Sequence, residues 1–184
     1  MRVITGTARG RNLATVSGTE IVRPTSQKVK EAIFSAIQFD LEGRRVLDLF
    51  SGSGQLGIEA LSRGADSAVF VDAARESVEV TKANLNATNL SGQAVVLRSD
   101  YKSFLSSTKD TFDIAFLDPP YTKGLLADAL ALTTSVMSDY GIIVCEHLPE
   151  LILPDTQGGF SVSKRYKYGK IALTVYRKEV EAVE

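Results

Sequence analysis

The sequence predicts an α/β domain: a mostly parallel sheet with helices on both faces, closed by an antiparallel hairpin. Three observations carry that expectation. Short apolar runs alternate with helical patterns from Val46 to Cys145, the order of successive βαβ units. The first of those runs ends in a Gly-rich turn that opens a helix. The last two runs, Phe160 to Tyr166 and Ile171 to Tyr176, are separated only by Lys167-Tyr168-Gly169-Lys170, too short for anything but a hairpin. The chain of 184 residues is one domain's length. It divides into a basic arm and helix over residues 1–40, packed on a main unit over residues 41–184.

Composition narrows the class. Hydrophobic residues at 44% and charged residues at 23% are those of a soluble globular protein. There is no apolar run of membrane-spanning length and no signal-peptide pattern at Met1-Arg2-Val3, so a cytoplasmic protein is expected. One His and one Cys leave no zinc or His-based metal site. Cys145, within Ile142-Ile143-Val144-Cys145, reads as a packed, inert thiol. The net charge is −1, so any nucleic-acid contact must come from a local patch.

That patch opens the chain. Residues 1–30 carry Arg2, Arg9, Arg11, Arg23, Lys28 and Lys30 against Glu20 alone. A short strand and a turn at Ser17-Gly18 predict a small hairpin or extended arm whose cations contact phosphates. Pro24 holds Arg23 extended. Thr25 or Ser26 can cap the helix that follows, whose Val29, Ala32, Ile33, Ala36 and Ile37 share one face.

The strand Val46-Leu47-Asp48-Leu49 leads into Phe50-Ser51-Gly52-Ser53-Gly54 and then a helix beginning near Leu56. Gly52 and Gly54 allow positive φ and let a ligand approach the backbone. Gly57 permits close helix–strand packing. The spacing Gly52, Gly54, Gly57 matches the dinucleotide fingerprint, a pattern that tight turns also produce. Asp48 adds specificity, because a core strand has no use for an acid unless it bonds loop amides or a ligand's cationic end.

Later elements follow in turn. Ser67 to Asp72 is a buried strand ending in an acid, and Arg75 to Thr88 a helix. Ala94 to Leu97 is a strand leading to Asp100, and Tyr101 to Ser106 a short helix. Phe112 to Leu117 is a fourth strand, Leu125 to Ser135 a helix, and Gly141 to Cys145 a fifth strand. Open α/β sheets bind ligands at the C-terminal strand edge. Asp72 at the second strand tip therefore suits ribose hydroxyls, or a cap for the next helix. Asp100 suits an adenine amine or a helix N-cap, with Tyr101 beside it as apolar cover. Glu146 and His147, ending the fifth strand, read as solvated edge residues.

The fourth strand runs into Asp118-Pro119-Pro120-Tyr121. Two prolines stiffen that turn and leave its carbonyls free to accept. Asp-Pro-Pro-Tyr after a strand, downstream of a Gly-rich loop, resembles motif IV of the amino-methyltransferases, which methylate exocyclic amines of nucleobases with S-adenosylmethionine. Arg23-Pro24-Thr25 followed by Lys28-Val29-Lys30-Glu31-Ala32-Ile33-Phe34-Ser35 resembles, more specifically, the family that methylates N2 of a guanine in 16S ribosomal RNA. Tyr168-Gly169-Lys170-Ile171-Ala172-Leu173-Thr174-Val175-Tyr176 is similar to that family's ending. The chain departs from the pattern at Gln27, where the family usually has Asp, and at Lys28 and Lys30, where it has arginines.

The resemblance implies a Rossmann-like, seven-stranded sheet and S-adenosylmethionine as cofactor. It implies ribosomal RNA as partner, within a 30S subunit or its assembly intermediate, and a monomer without metal or membrane. Asp48, Phe50, Ser51, Gly52, Ser53, Gly54, Asp72, Asp100 and Tyr101 would then hold the cofactor. Asp118, Pro119, Pro120 and Tyr121 would form the catalytic turn, with the Asp118 carboxylate and the Pro119 carbonyl accepting the two N–H groups of the target amine and Tyr121 stacking on the base. Other readings stay open on the residues alone: an amino-methyltransferase of DNA or another RNA, a non-catalytic nucleotide- or RNA-binding module, or an NAD-binding protein.

Overall fold

The computed structural model describes residues 1–18, 26–121 and 124–178. Its elements are α1 (Gln27–Ala36), β1 (Arg45–Leu49), α2 (Gln55–Ser62), β2 (Ser67–Asp72), α3 (Arg75–Ala87), β3 (Ala94–Arg98), α4 (Tyr101–Ser107) and β4 (Phe112–Leu117), followed by α5 (Leu126–Thr133), β5 (Met137–His147), β6 (Thr156–Gln157), β7 (Phe160–Tyr168) and β8 (Ile171–Lys178). They form one sheet of order β3-β2-β1-β4-β5-β8-β7-β6. β1 to β5 run parallel, and β8 pairs antiparallel with both β5 and β7.

Alternating side chains send each strand's residues to opposite faces. Val46, Phe70, Ile114, Phe116 and Val144 pack under α1, α2 and α3, while Leu47, Leu49, Val71, Leu117 and Ile143 pack under α4 and α5. The hairpin at the chain start belongs to the first of these layers. Arg2 bridges Asn12, the Val3 amide donates to the Arg11 carbonyl at 2.9 Å, and Val3, Ala8 and Leu13 are buried with α1.

The sheet has eight strands among the described residues, not seven. The addition, β6, is two residues pairing Thr156 with Ser161 and Gln157 with Phe160, too short to leave an alternation in the sequence. β5 also begins at Met137, four residues before the expected Gly141. Its first part pairs Phe112 with Met137 and then shifts register, which masks the strand pattern.

The strand order decides where a ligand can sit. From β1 the chain winds outward through β2 to β3, whereas β4 returns to β1's other side and β5 continues away from it. Helices following β1 and β4 therefore lie on opposite faces. A crevice opens between them at the C-terminal strand edge, the switch point of a doubly wound sheet.

Candidate active site

The loop after β1 is held in an unusual shape. Phe50 has φ of 83°, a left-handed conformation that a bulky residue adopts only under constraint. The constraint is visible: the Phe50 and Ser51 amides both donate to the Val71 carbonyl, at 2.9 and 3.0 Å. This turns the Phe50 ring onto Tyr101, with centroids 5.3 Å apart. Gly52 has φ of 54° and open space where a Cβ would stand. Gly57 has none: a Cβ there would lie 2.3 Å from the Phe70 ring, so α2 packs against β2 at glycine distance.

Acids fix the loop from both sides. Asp72 accepts from the Gly52 amide through Oδ2 and from the Ala74 amide through Oδ1, each at 2.9 Å. Each carboxylate oxygen keeps a further lone pair for a ligand hydroxyl. Beneath the loop, Asp48 accepts from the Gly57 amide at 2.9 Å. Burial pushes its pKa up to about 7, the Gly57 bond opposes this, and the charge of Asp72 adds to it. The Ser51 hydroxyl and the Gln55 side-chain oxygen are buried here without a hydrogen-bond partner. Unmet buried polar atoms are uncommon and mark a place where a polar ligand fits.

Phe50, Gly52, Ser53, Asp72, Asp100 and Tyr101 line one cleft of about 580 Å³ together with Asp118, Pro119, Pro120 and Tyr121. Members of both expected groups thus meet in one space, whereas Asp48, Ser51 and Gly54, expected with them, are not among the residues that line it. Asp100 caps α4 by accepting from the Ser103 amide at 3.0 Å, and it also borders the cleft, so its two readings coexist. The Tyr121 hydroxyl donates to Glu146 Oε1 at 2.7 Å. Burial, and then the charges of Glu146 and Asp118, raise the Tyr121 pKa far above that of an ordinary phenol.

Three expectations need correction. Lys30 cannot reach RNA phosphates: it is 1% exposed, its Nζ lies 2.8 Å from Glu59 Oε2, and it donates to the Arg2 carbonyl at 3.1 Å. Glu146 and His147 are buried, not solvated edge residues. His147 Nε2 lies 2.8 Å from Thr174 Oγ1 and its Nδ1 2.8 Å from the Leu148 carbonyl, and burial lowers its pKa. Arg2, Arg9, Arg11 and Lys28 are exposed, and Arg23 lies outside the described residues. Cys145 is buried, with its thiol pKa pushed up by burial alone.

Sequence reasoning missed how α3 binds the arm to the loop. The Thr81 hydroxyl donates to the Gly52 carbonyl at 2.9 Å. Asn84 Nδ2 donates to the carbonyls of Ser53 at 2.8 Å and Ala14 at 3.0 Å, and Oδ1 accepts from the Ala14 amide at 2.8 Å. Thr15 and Val16 consequently form part of the cleft wall. A signal existed: Ser77, Thr81, Asn84 and Thr88 form a polar stripe at helical spacing, and all four are buried.

A switch-point cleft with a Gly-rich loop and ribose-type acid at one end and Asp-Pro-Pro-Tyr at the other defines the class, an α/β methyltransferase. The comparisons agree. An Escherichia coli structure described as "Putative methyltransferase yhhF" superposes with a TM-score of 0.84 and 33% identity, covering 98% of this chain and 99% of that one. Residues 1–177 match the family model Conserved hypothetical protein 95, and the chain belongs to that family. Bacillus subtilis "Putative rRNA methyltransferase YlbH" is 42% identical over 97% of this chain and 99% of its own length. Escherichia coli "Ribosomal RNA small subunit methyltransferase D" is 33% identical over 98% and 91%.

Proposed function

We propose that the protein methylates the exocyclic N2 amine of a guanine in small-subunit (16S) ribosomal RNA, using S-adenosylmethionine. The observation that carries this reading is the single cleft joining the Gly52–Asp72 loop to Asp118-Pro119-Pro120-Tyr121. The cleft volume of about 580 Å³ lies in the range of small-molecule sites. S-adenosylmethionine, when bound, supplies an electrophilic methyl group and leaves as its homocysteine product. Asp72 would take the ribose hydroxyls, the Phe50 and Tyr101 rings would cover the adenine beside Asp100, and Ser51 to Gly54 would take the methionine part. The donor set fits: a carboxylate for a diol, amides for a carboxylate, and buried Asp48 beneath a cation.

The residues' part in the reaction is positioning. A guanine amine is a poor nucleophile because its lone pair is conjugated into the ring. Accepting its two N–H groups at the Asp118 carboxylate and the Pro119 carbonyl localises that lone pair and aims it along the line of transfer. Tyr121 gives the extruded base a stacking face. As it gains the methyl group the nitrogen would become cationic, and the Asp118 carboxylate would stabilise that charge and take up the amine proton, passing it on to solvent. The cations of the arm, Arg2, Arg9, Arg11 and Arg23, with Lys28 on α1, would contact phosphates around the target. The names of the Bacillus and Escherichia relatives support RNA of the small subunit as substrate. A 30S particle or its assembly intermediate, a monomeric enzyme without metal, and a division into residues 1–40 and 41–184 complete the reading.

The test is single-turnover methyl transfer with saturating S-adenosylmethionine and, separately, 30S particles, naked 16S RNA and DNA. Label is expected on guanine N2 of the ribosomal substrate. Asp118→Asn turns an acceptor into a donor facing the amine's hydrogens and should slow transfer by about 10²–10³, with cofactor affinity retained. Near wild-type transfer by Asp118→Asn would overturn the mechanism. Label on DNA alone would overturn the substrate, and NADH binding without S-adenosylmethionine binding would overturn the class of ligand.

A further inference from the structure

The β7–β8 hairpin carries positive charge that its surroundings do not neutralise. From Phe160 to Arg177 the chain holds Lys164, Arg165, Lys167, Lys170 and Arg177 and no acid, although its net charge is −1. Two of these cations are engaged: Arg165 bonds Asp155 and the Leu153 carbonyl, and Arg177 bonds Asp40. Lys164, Lys167 and Lys170 are exposed, with no ion pair or hydrogen bond among the described residues. Register places them. Ala172 stands opposite His147 in the antiparallel pair of β5 and β8, and Tyr168 stands opposite Ile171. The turn at Gly169-Lys170 therefore projects beyond the C-terminal end of β5, at the same edge as the cleft. In the sheet order β7 is three strands from β4, a lateral distance of roughly 14 Å. Tyr166 and Tyr168 share one face. Their rings stack with centroids 6.2 Å apart and planes at 24°, half-buried on the layer that holds α1 and the arm. Lys164 extends that row, while Lys167 and Lys170 bracket the turn.

Edge protection alone does not account for this pattern. β6 covers only Phe160 and Ser161, so β7 is an edge strand from Val162 onward, and lysines guard such edges. Charges of either sign would serve there, yet all are positive, and they continue to Lys170, in a turn with no edge to guard. We propose that the hairpin is a second RNA-binding surface: Lys164, Lys167 and Lys170 contact phosphates of the strand leaving the cleft, and the Tyr168 ring stacks on one of its unpaired bases. The proposal rests on the methyltransferase reading above and adds the path of the RNA. The end of the arm is bound to α3, with the Ala14 amide on Asn84 and the Ser17 amide on Glu76, and α3 packs on β2 and β3. The cleft at β1 and β4 thus lies between arm and hairpin. Drawing one base into it requires the strand to be held on both flanks, and phosphate contacts fix such a register without reading sequence. Cations interleaved with aromatic rings suit that task on a single strand.

The experiment titrates naked 16S RNA and, separately, 30S particles into the protein over a range of salt with saturating S-adenosylhomocysteine. In the triple variant Lys164→Gln, Lys167→Gln, Lys170→Gln the salt slope on naked RNA should be shallower by about two, and affinity lower by about tenfold or more. Tm and cofactor affinity should match the wild type, as should kcat at saturating RNA, since the reacting groups are untouched. Arginine at the same three positions should keep the slope. Lys109→Gln, just before β4 at the opposite edge of the sheet, should not alter it. Tyr168→Leu keeps apolar cover but removes the ring, and should weaken RNA binding by about fivefold or more; unchanged affinity there would overturn the stacking role. A wild-type slope in the triple variant would overturn the surface, and aggregation of that variant without loss of RNA affinity would make the lysines an edge guard only. Normal binding to naked RNA with weakened binding to 30S particles would assign the lysines to an acidic protein of the particle and overturn it too. A wild type that binds neither RNA nor particle would overturn the ribosomal substrate itself, a result distinct from a hairpin variant that binds like the wild type.

Discussion

Asp48 shows what one buried charge does to a binding equilibrium. Its carboxyl ionises near pH 7 in the folded chain, against 3.8 for the group unperturbed. Between those values the folded chain keeps a proton that the unfolded chain has lost, so the group's contribution to stability falls as pH rises from about 4 to 7 and is level above. A cationic ligand end over the Gly52–Gly54 loop reverses the preference and draws Asp48 into its ionised form. Affinity for S-adenosylmethionine should therefore rise between pH 6 and 8, with proton release near neutrality. Calorimetry in two buffers of different ionisation enthalpy reads that proton directly. Asp48→Asn should keep the Gly57 bond and lose both effects; a wild type with no pH dependence in this range would place Asp48 outside the ligand's field. Asp72 and Asp118 stood out in the sequence because each ends an apolar run, and Asp48 because it interrupts one. Lys30 and Glu146 did not: burial is decided by partners far along the chain, Glu59 in one case and Tyr121 in the other.

At the scale of elements, strand and helix order was legible from alternation, and the ligand edge followed from it. The short β6, the early start of β5 and the tether between arm and loop were not, since each depends on tertiary pairing. That tether makes two kinds of arm variant distinguishable. Neutralising Arg2, Arg9 and Arg11 together removes exposed charge without touching Asn84, so RNA binding should weaken, with a salt slope about 0.7–0.9 shallower per lost phosphate contact. Cofactor affinity should stay constant. Asn84→Ala frees the Ser53 carbonyl and both polar groups of Ala14, so it should weaken cofactor and RNA binding alike. Titrations of each variant with each ligand check this. If the arginine variants lost cofactor as readily as RNA, the arm would be a structural strap and its phosphate contacts would be excluded.

For the whole molecule, the arm and α1 are joined to the sheet layer through one buried ionic centre. Glu59 of α2 accepts from the Ile4 and Thr5 amides at 2.9 and 3.0 Å, from Lys30 Nζ at 2.8 Å and from Arg63 Nε at 2.9 Å. Burial pushes the Glu59 carboxyl up, but the Lys30 ammonium, the Ile4 amide and Arg63 outweigh it and hold its pKa below the usual range. Gly6 lies over the same helix end so tightly that a Cβ would stand 1.7 Å from the Ser62 carbonyl oxygen. Lys30→Met removes the most deeply buried of the two cations and leaves Glu59 with Arg63 and two amides. Breaking a buried pair on one side typically costs 3–5 kcal/mol, and the surviving donors place this variant near 3 kcal/mol, or roughly 6–12 °C in Tm for a domain of this size. Pairing it with Glu59→Leu removes the stranded charge and should recover part of the loss. If Lys30 served RNA instead, the single variant would melt near the wild type and its RNA affinity would lose salt dependence. The geometry requires the reverse: a lower Tm, and a salt slope, measured well below that Tm, equal to the wild type's.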